Sequence, residues 1–144
     1  MKRCARQNKE DQVKSTHNYL DDIYTSFIYP KLCSIDVFLK SVEDVIPSTV
    51  AKLLDICEEE VLEITGGTQP TRASFLSIME RGSSFICGLY RRELECGSPH
   101  IYSAKDIAYI YQLDYNSVQA ACSTLGIADI TPGLLPQVLA MIEV

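Results

Sequence analysis

The sequence predicts an all-α protein, a compact bundle of about seven to nine short helices. Apolar residues recur at helical spacing along most of its 144 residues. No convincing run alternates apolar and polar residues in the way that marks a β-strand. Hydrophobic residues form 47% of the chain and charged residues 22%, which excludes the disordered class and is enough for a core.

Two helices are expected before Pro47. The first pattern starts at Val13, includes His17, and should stop at Pro30, because proline lacks a backbone donor and clashes with the preceding turn. An N-cap at Ser34 predicts a second helix that runs to about Val45.

Shorter helices follow, each separated from the next by a turn or a cap. Ser103 and Asp106 have the spacing of a capping box, and Asp114 is expected to cap the helix after it. Gly126 should end that helix. The helices are identified by their apolar residues, which are Val50, Leu53 and Leu54; Val61, Leu62 and Ile64; Phe75, Leu76 and Met79; Ile86, Leu89, Tyr90 and Leu94; Ile107, Ile110 and Leu113; Val118, Ala121, Cys122 and Leu125; and a last set within 134–142.

One pattern occurs twice, at residues 49–65 (the N-terminal pair) and at residues 106–122 (the C-terminal pair). In each copy an apolar residue and an alanine precede a further apolar set, a tight turn and a second helix. Two short helices that cross steeply need a small residue where their backbones approach, here Ala51 or Ala108, and an apolar anchor at the turn. The length fits a single domain with related halves at 10–66 and 83–144.

These two pairs resemble the helix-turn-helix superfamily, whose second helix in many members enters the major groove of DNA. Both copies depart from the family pattern at the turn, where glycine is common and Asp55 or Gln112 stands here. The resemblance implies a small DNA-associated transcription regulator, with the first helix of the chain as a possible homodimer arm.

Charge distribution separates the two pairs as candidates for DNA binding. The chain carries a net charge of −6, which repels nucleic acid at long range and requires a local patch for any contact. In the C-terminal pair, asparagine and glutamine can pair with adenine, and a short run upstream supplies basic groups. The DNA-binding candidates are Tyr115, Asn116, Ser117, Gln119, Arg91, Arg92 and Lys105.

The N-terminal pair is unsuited to DNA because its second helix is acidic. Its carboxylates would face phosphates, yet they suit the positive end of a helix and could dock a basic protein. The alternative function is therefore an acidic protein-binding adaptor or inhibitor without direct DNA contact. Its candidate residues are Glu58, Glu59, Glu60 and Glu63.

Catalytic chemistry is poorly supplied, so an enzyme, a metal site and a cofactor are not expected. Phosphate-cradling, zinc-protease and nucleophile-elbow motifs are absent from the sequence. A zinc set could be assembled from Cys87, Cys96, His100 and Cys122, but the spacing contains no CxxC pair.

The location expected from the sequence is the cytoplasm. The basic N-terminus lacks the apolar stretch of a secretory signal, and no apolar run approaches the length of a membrane span. The six cysteines are widely spread, so we expect them to be reduced and to act as small hydrophobic residues.

Overall fold

The computed structural model describes residues 17–97 and 100–144, and this part of the chain is helical, with no β-strand. The predicted all-α class is thus confirmed. A π-helical segment, Leu20–Ile28, comes first. The α-helices are α1 Tyr29–Lys40, α2 Pro47–Leu54, α3 Glu58–Ile64, α4 Arg72–Arg81, α5 Phe85–Glu95, α6 Ala104–Tyr111, α7 Tyr115–Leu125 and α8 Leu135–Leu139. Among the described residues, none of the helices combines the length and apolar character needed to cross a bilayer.

The described chain forms two compact units. The middle unit comprises residues 28–98, of which residue 98 is not described, and holds α1 to α5. The terminal unit combines residues 17–27 with 100–144 and holds most of the π-helical segment and α6 to α8. Each unit has its own buried apolar residues.

The core of the middle unit is contributed by all five of its helices. The rings of Phe38 and Phe75 lie 5.3 Å apart at its centre, and both are buried. The cluster consists of Ile35, Phe38, Val50, Ala51, Leu54, Val61, Phe75, Ile78, Met79, Ile86 and Cys87. Most of these residues belong to the predicted apolar sets, but in α4 the core takes Ile78 in place of the predicted Leu76, which is 45% exposed.

The terminal unit is closed by contacts between its two sequence segments. The backbone amide of Tyr19 donates to the carbonyl of Ile142 at 2.7 Å, and that of Val144 donates to His17. The buried Tyr19 ring meets the ring of Tyr111 edge to face at 6.2 Å. Edge-to-face packing adds to the burial of both rings.

The predicted first helix is wrong at its end, since the chain stays helical through Pro30. The residue before α1, Ile28, has α-helical angles, and Pro30 lies within the first two positions of α1. The turns ahead of it are π-helical and therefore wider than α-helical turns, so the proline ring avoids the carbonyl of Ser26 four residues earlier.

The start of that first helix also differs. Residues 13–16 lie outside the described residues, and His17 precedes the helix as an exposed residue with its Nδ1 atom 3.5 Å from the Asp22 carboxylate. The helix begins after Asn18, because the side-chain oxygen of Asn18 accepts from the amide of Asp21 at 2.9 Å. This is the usual action of an N-cap.

The second predicted helix is wrong as well, since α1 starts before Ser34 and ends at Lys40 instead of near Val45. Arg72 explains the early end. Its guanidinium donates to the carbonyl of Phe38 at 3.1 Å and to that of Glu43 at 2.8 Å, which satisfies the end of α1 and holds the next residues out of the helix.

The capping predictions after residue 100 are confirmed. Ser103 and Asp106 form a reciprocal capping box at the start of α6. Asp114 caps α7 by accepting from the amide of Ser117, and Gly126 ends α7 with a positive φ of 71°. The chain therefore enters and leaves these helices where its polar and glycine residues direct it.

The repeated pattern produces the same backbone twice. Helices α2 and α3 form the N-terminal pair, and α6 and α7 form the C-terminal pair. The residue at each turn, Asp55 or Gln112, is left-handed with φ of 57°. The amide after it donates to the alanine carbonyl five residues earlier, from Ile56 to Ala51 at 3.1 Å and from Leu113 to Ala108 at 2.8 Å.

Both left-handed residues carry side chains that are used. The carboxylate of Asp55 lies 3.0 Å from the ammonium of Lys31, which also donates to the carbonyl of Lys52 at 3.0 Å. The amide nitrogen of Gln112 donates to the carbonyl of Tyr109 at 2.7 Å. These contacts offset the cost of a side chain in a conformation that favours glycine.

We expect Gln112 to tolerate glycine and to reject a β-branched residue. In Gln112→Gly, relief of roughly 1 kcal/mol of backbone cost offsets the lost hydrogen bond, so the free energy of unfolding should change by less than about 1 kcal/mol. Gln112→Ile should lower it by about 2 kcal/mol. Urea unfolding followed by circular dichroism measures both, and equal stability of the two variants would contradict the left-handed turn.

A second expectation concerns Gly82, which ends α4 with an ordinary negative φ. A Cβ atom there would collide with the buried Sγ atom of Cys87 and lie 3.3 Å from the carbonyl oxygen of Ile78. Gly82→Ala should lower the free energy of unfolding by about 1–3 kcal/mol through overpacking. Gly133→Ala is the matched control, since its Cβ would meet only Thr131 at 3.9 Å. Equal midpoints in thermal unfolding would disprove the collision.

Candidate functional site

The exposed side of α7 is the centre of the candidate DNA interface. Val118 and Ala121 are buried and fix the orientation of the helix. Tyr115, Asn116 and Gln119 are exposed on its first turns. Asparagine and glutamine amides can each form two hydrogen bonds with adenine in the major groove.

Ser117 is exposed but its polar groups already serve the helix cap. Its amide and its hydroxyl both donate to one carboxylate oxygen of Asp114, at 3.0 Å and 3.1 Å. A phosphate approaching this end of α7 would therefore meet the Asp114 carboxylate. Ser117 thus has a structural role in the cap of α7, and its contact with DNA stays a prediction.

Lys105 is the basic side chain that lies near α7 in the terminal unit. It lies in the first turn of α6 and lines an open cleft of about 380 Å³ together with Ala108 and Tyr115. Residues 17–27 and 100–144 contain no other lysine or arginine, against six aspartates and glutamates. Phosphate contacts from this unit would thus depend on Lys105.

The two candidate arginines belong to the middle unit, on α5. The guanidinium of Arg91 donates to the carbonyl oxygens of Glu80 at 2.8 Å and Gly82 at 3.3 Å, where α4 ends. That of Arg92 lies over the Phe85 ring, 5.7 Å from its centroid. Both side chains therefore have structural contacts within their own unit, which sequence spacing did not reveal.

The acidic candidates on α3 do not form one uniform surface. Glu58, Glu59 and Glu63 are exposed, and Glu58 and Glu59 line an open concavity with Leu62. Glu60 instead turns to the linker between α4 and α5. Its two carboxylate oxygens accept from the amide and the hydroxyl of Ser83, each at 2.7 Å.

The role of Glu60 could not be found from the sequence. Its partner Ser83 lies 23 residues away, and no periodic pattern relates the two positions. The one feature visible in the sequence is the position of Glu60 in the first turn of α3, and a carboxylate there is equally explained by the helix dipole. The exposed acidic surface is therefore smaller than the four glutamates suggested.

Cysteine and histidine side chains are the usual ligands of zinc in proteins. In the described ranges, no three histidine, cysteine, aspartate or glutamate side chains come together as a metal site would require. Cys87 is buried against the carbonyl of Leu54, and burial raises the pKa of its thiol. Burial raises the pKa of Cys122 too. Both thiols are thus held in the protonated form, which is a poor ligand.

The two helix pairs expose different chemical groups. The C-terminal pair offers polar and aromatic groups with Lys105 nearby, while the N-terminal pair offers the carboxylates of Glu58, Glu59 and Glu63. Comparison of the chain with models of protein families, with curated proteins and with solved structures found no match in any of the three.

Proposed function

We propose that this protein is a small, DNA-associated regulator of the helix-turn-helix type that contacts DNA through its C-terminal pair. The observation that carries the proposal is the left-handed turn at Gln112, which joins α6 to a helix with Tyr115, Asn116 and Gln119 exposed. Glycine is common at this turn in the superfamily because it readily adopts this conformation. The N-terminal pair repeats the geometry but bears the carboxylates of Glu58, Glu59 and Glu60 at the start of its second helix, against Asp114 alone in the C-terminal pair.

The charge of the terminal unit sets how such binding would behave. The described residues of the terminal unit include one lysine, Lys105, and no arginine, so the unit would neutralise about one phosphate. The slope of log affinity against log salt concentration should therefore be near −1. Affinity of this kind is weak for a lone copy. A cytoplasmic homodimer formed through the π-helical segment, in which Phe27 is 41% exposed, would present α7 twice.

The test is selection of duplex DNA from a random-sequence pool at low salt, followed by fluorescence anisotropy with the enriched duplex. Asn116→Ala and Gln119→Ala should each weaken binding by about 1 kcal/mol or more, roughly fivefold, and relax the sequence preference. Lys105→Ala should weaken binding to all duplexes and flatten the salt dependence.

Two further variants separate reading of DNA from folding. Gln137→Ala, on the exposed surface of α8, should leave binding unchanged. Arg91→Ala should lower thermal stability because it removes the donor at the end of α4, while the Asn116 variant keeps full stability. If the wild-type chain enriches no duplex at low salt, the proposal fails.

We propose a second function because of the exposed surface of α3. Glu58 and Glu59 line a concavity with Leu62, which is 37% exposed, and Glu63 is exposed next to it in sequence. This combination suits a basic protein partner with an apolar contact. The protein would then be an adaptor or inhibitor without direct DNA contact. Glu60 is excluded from this surface by its hydrogen bonds to Ser83.

For this second function, we expect Glu59→Lys/Glu63→Lys to abolish capture of partners that wild-type protein retains. The variant should remain folded, with a small loss of thermal stability because a lysine at Glu59 opposes the dipole of α3. The control Glu80→Lys makes the same kind of charge change at an exposed position of α4 and should retain the partners. Quantitative affinity capture at two salt concentrations measures this, since rim charges lose effect with screening. An identical partner set for wild type and the double variant would exclude α3 as the interface. Glu60→Lys is unsuitable because it would break the contact with Ser83.

A further inference from the structure

The middle unit has an open cleft of its own, whereas the proposed DNA contact belongs to the terminal unit. It lies between α1, the irregular residues 41–46 and α2, and has a volume of about 290 Å³. That is the lower end of the range for small-molecule sites, and it suits one or two side chains better than a whole ligand. The lining residues are Ser34, Val37, Phe38, Glu43, Ser48, Thr49, Lys52 and Leu53.

Apolar side chains at and beside this cleft are unusually exposed. Val37 lines the cleft and is 65% exposed. Val42, which precedes the cleft residue Glu43 in sequence, is 98% exposed. Ile46 is 41% exposed at the other end of the same irregular stretch. Isolated exposed apolar residues are common, but Val37 lines the cleft itself, where it offers an apolar contact to a partner.

The stretch that walls the cleft is held in place from outside it. Arg72 donates to the carbonyl of Glu43 at 2.8 Å and lies over the ring of Phe38, 5.0 Å from its centroid. The side-chain amide nitrogen of Gln69 donates to the carbonyl of Val45 at 3.4 Å. The concave shape therefore exists before any partner arrives, which lowers the entropy cost of binding.

Two opposite charges line the cleft. Lys52 is exposed on α2, and Glu43 is exposed on the irregular stretch. Neither side chain has an ion pair with another residue in the described part of the chain. A partner that supplied a carboxylate to Lys52 and a basic group to Glu43 would match both charges, which favours one orientation over the reverse.

We propose that this cleft docks a short segment of another protein, in which an apolar side chain that enters beside Val37 is flanked by an acidic residue for Lys52 and a basic residue for Glu43. The inference does not depend on DNA binding. The apolar side chain would provide the central contact, and the flanking charges would select the direction of the segment.

The experiment uses a displayed library of random peptides, selected on the full chain. Wild-type protein should enrich peptides in which an apolar residue lies between an acidic and a basic one. Val37→Asp should lower the affinity for a synthetic copy of an enriched peptide at least tenfold, as measured by isothermal titration calorimetry. Leu76→Asp, at a residue of α4 that is 45% exposed and does not line the cleft, should bind as the wild type does.

Charge reversal gives the sharper readout. Lys52→Glu should weaken the same peptide, and replacing the acidic residue of the peptide with lysine should restore binding to Lys52→Glu but not to wild type. Thermal unfolding confirms that each variant is folded. Enrichment unaffected by both Val37→Asp and Lys52→Glu would overturn the proposal. So would self-association of the chain that Val37→Asp abolishes, because the occupant would then be a second copy.

Discussion

The left-handed residue after α2 and after α6 is the constraint on which the helix pairs depend. It turns the chain so that the next amide reaches the carbonyl of Ala51 or Ala108. Only then does the following helix start in the register that buries Val61 or Val118. Because the left-handed conformation costs a side chain energy, each turn residue is supported by a polar contact of its own.

Three of the seven lysines and arginines in the middle unit complete the end of a neighbouring helix. Lys31, Arg72 and Arg91 each donate to carbonyl oxygens at the end of another helix, namely α2, α1 and α4. A cation at that end satisfies acceptors that lack partners and complements the helix dipole. Basic residues counted from the sequence therefore overstate how much positive charge is available for a partner. This explains why the proposed DNA contact depends on Lys105 while the arginines stabilise the fold.

Much of the fold could be predicted from local signals, since periodic apolar residues and caps such as Ser103 and Asp114 act within one turn of helix. Pro30 was misread because a π-helical segment, which has no clear sequence signature, removes the clash that normally ends a helix. The early end of α1 was missed because Arg72 acts from 34 residues away. The exposed residues of α7 followed from periodicity, whereas the partners of Glu60 and Arg91 required the tertiary structure.

The pairing of residues 17–19 with residues 142–144 has a consequence for synthesis on the ribosome. The middle unit is continuous in sequence, so its helices can pack while later residues are still being translated. The terminal unit is interrupted by it and needs both of its segments, which places a very long loop between Tyr19 and Ile142. Its closing contacts must therefore form after residues 142–144 have been translated. Until then the backbone amide of Tyr19 cannot reach its acceptor on Ile142, although its ring partner Tyr111 is translated earlier.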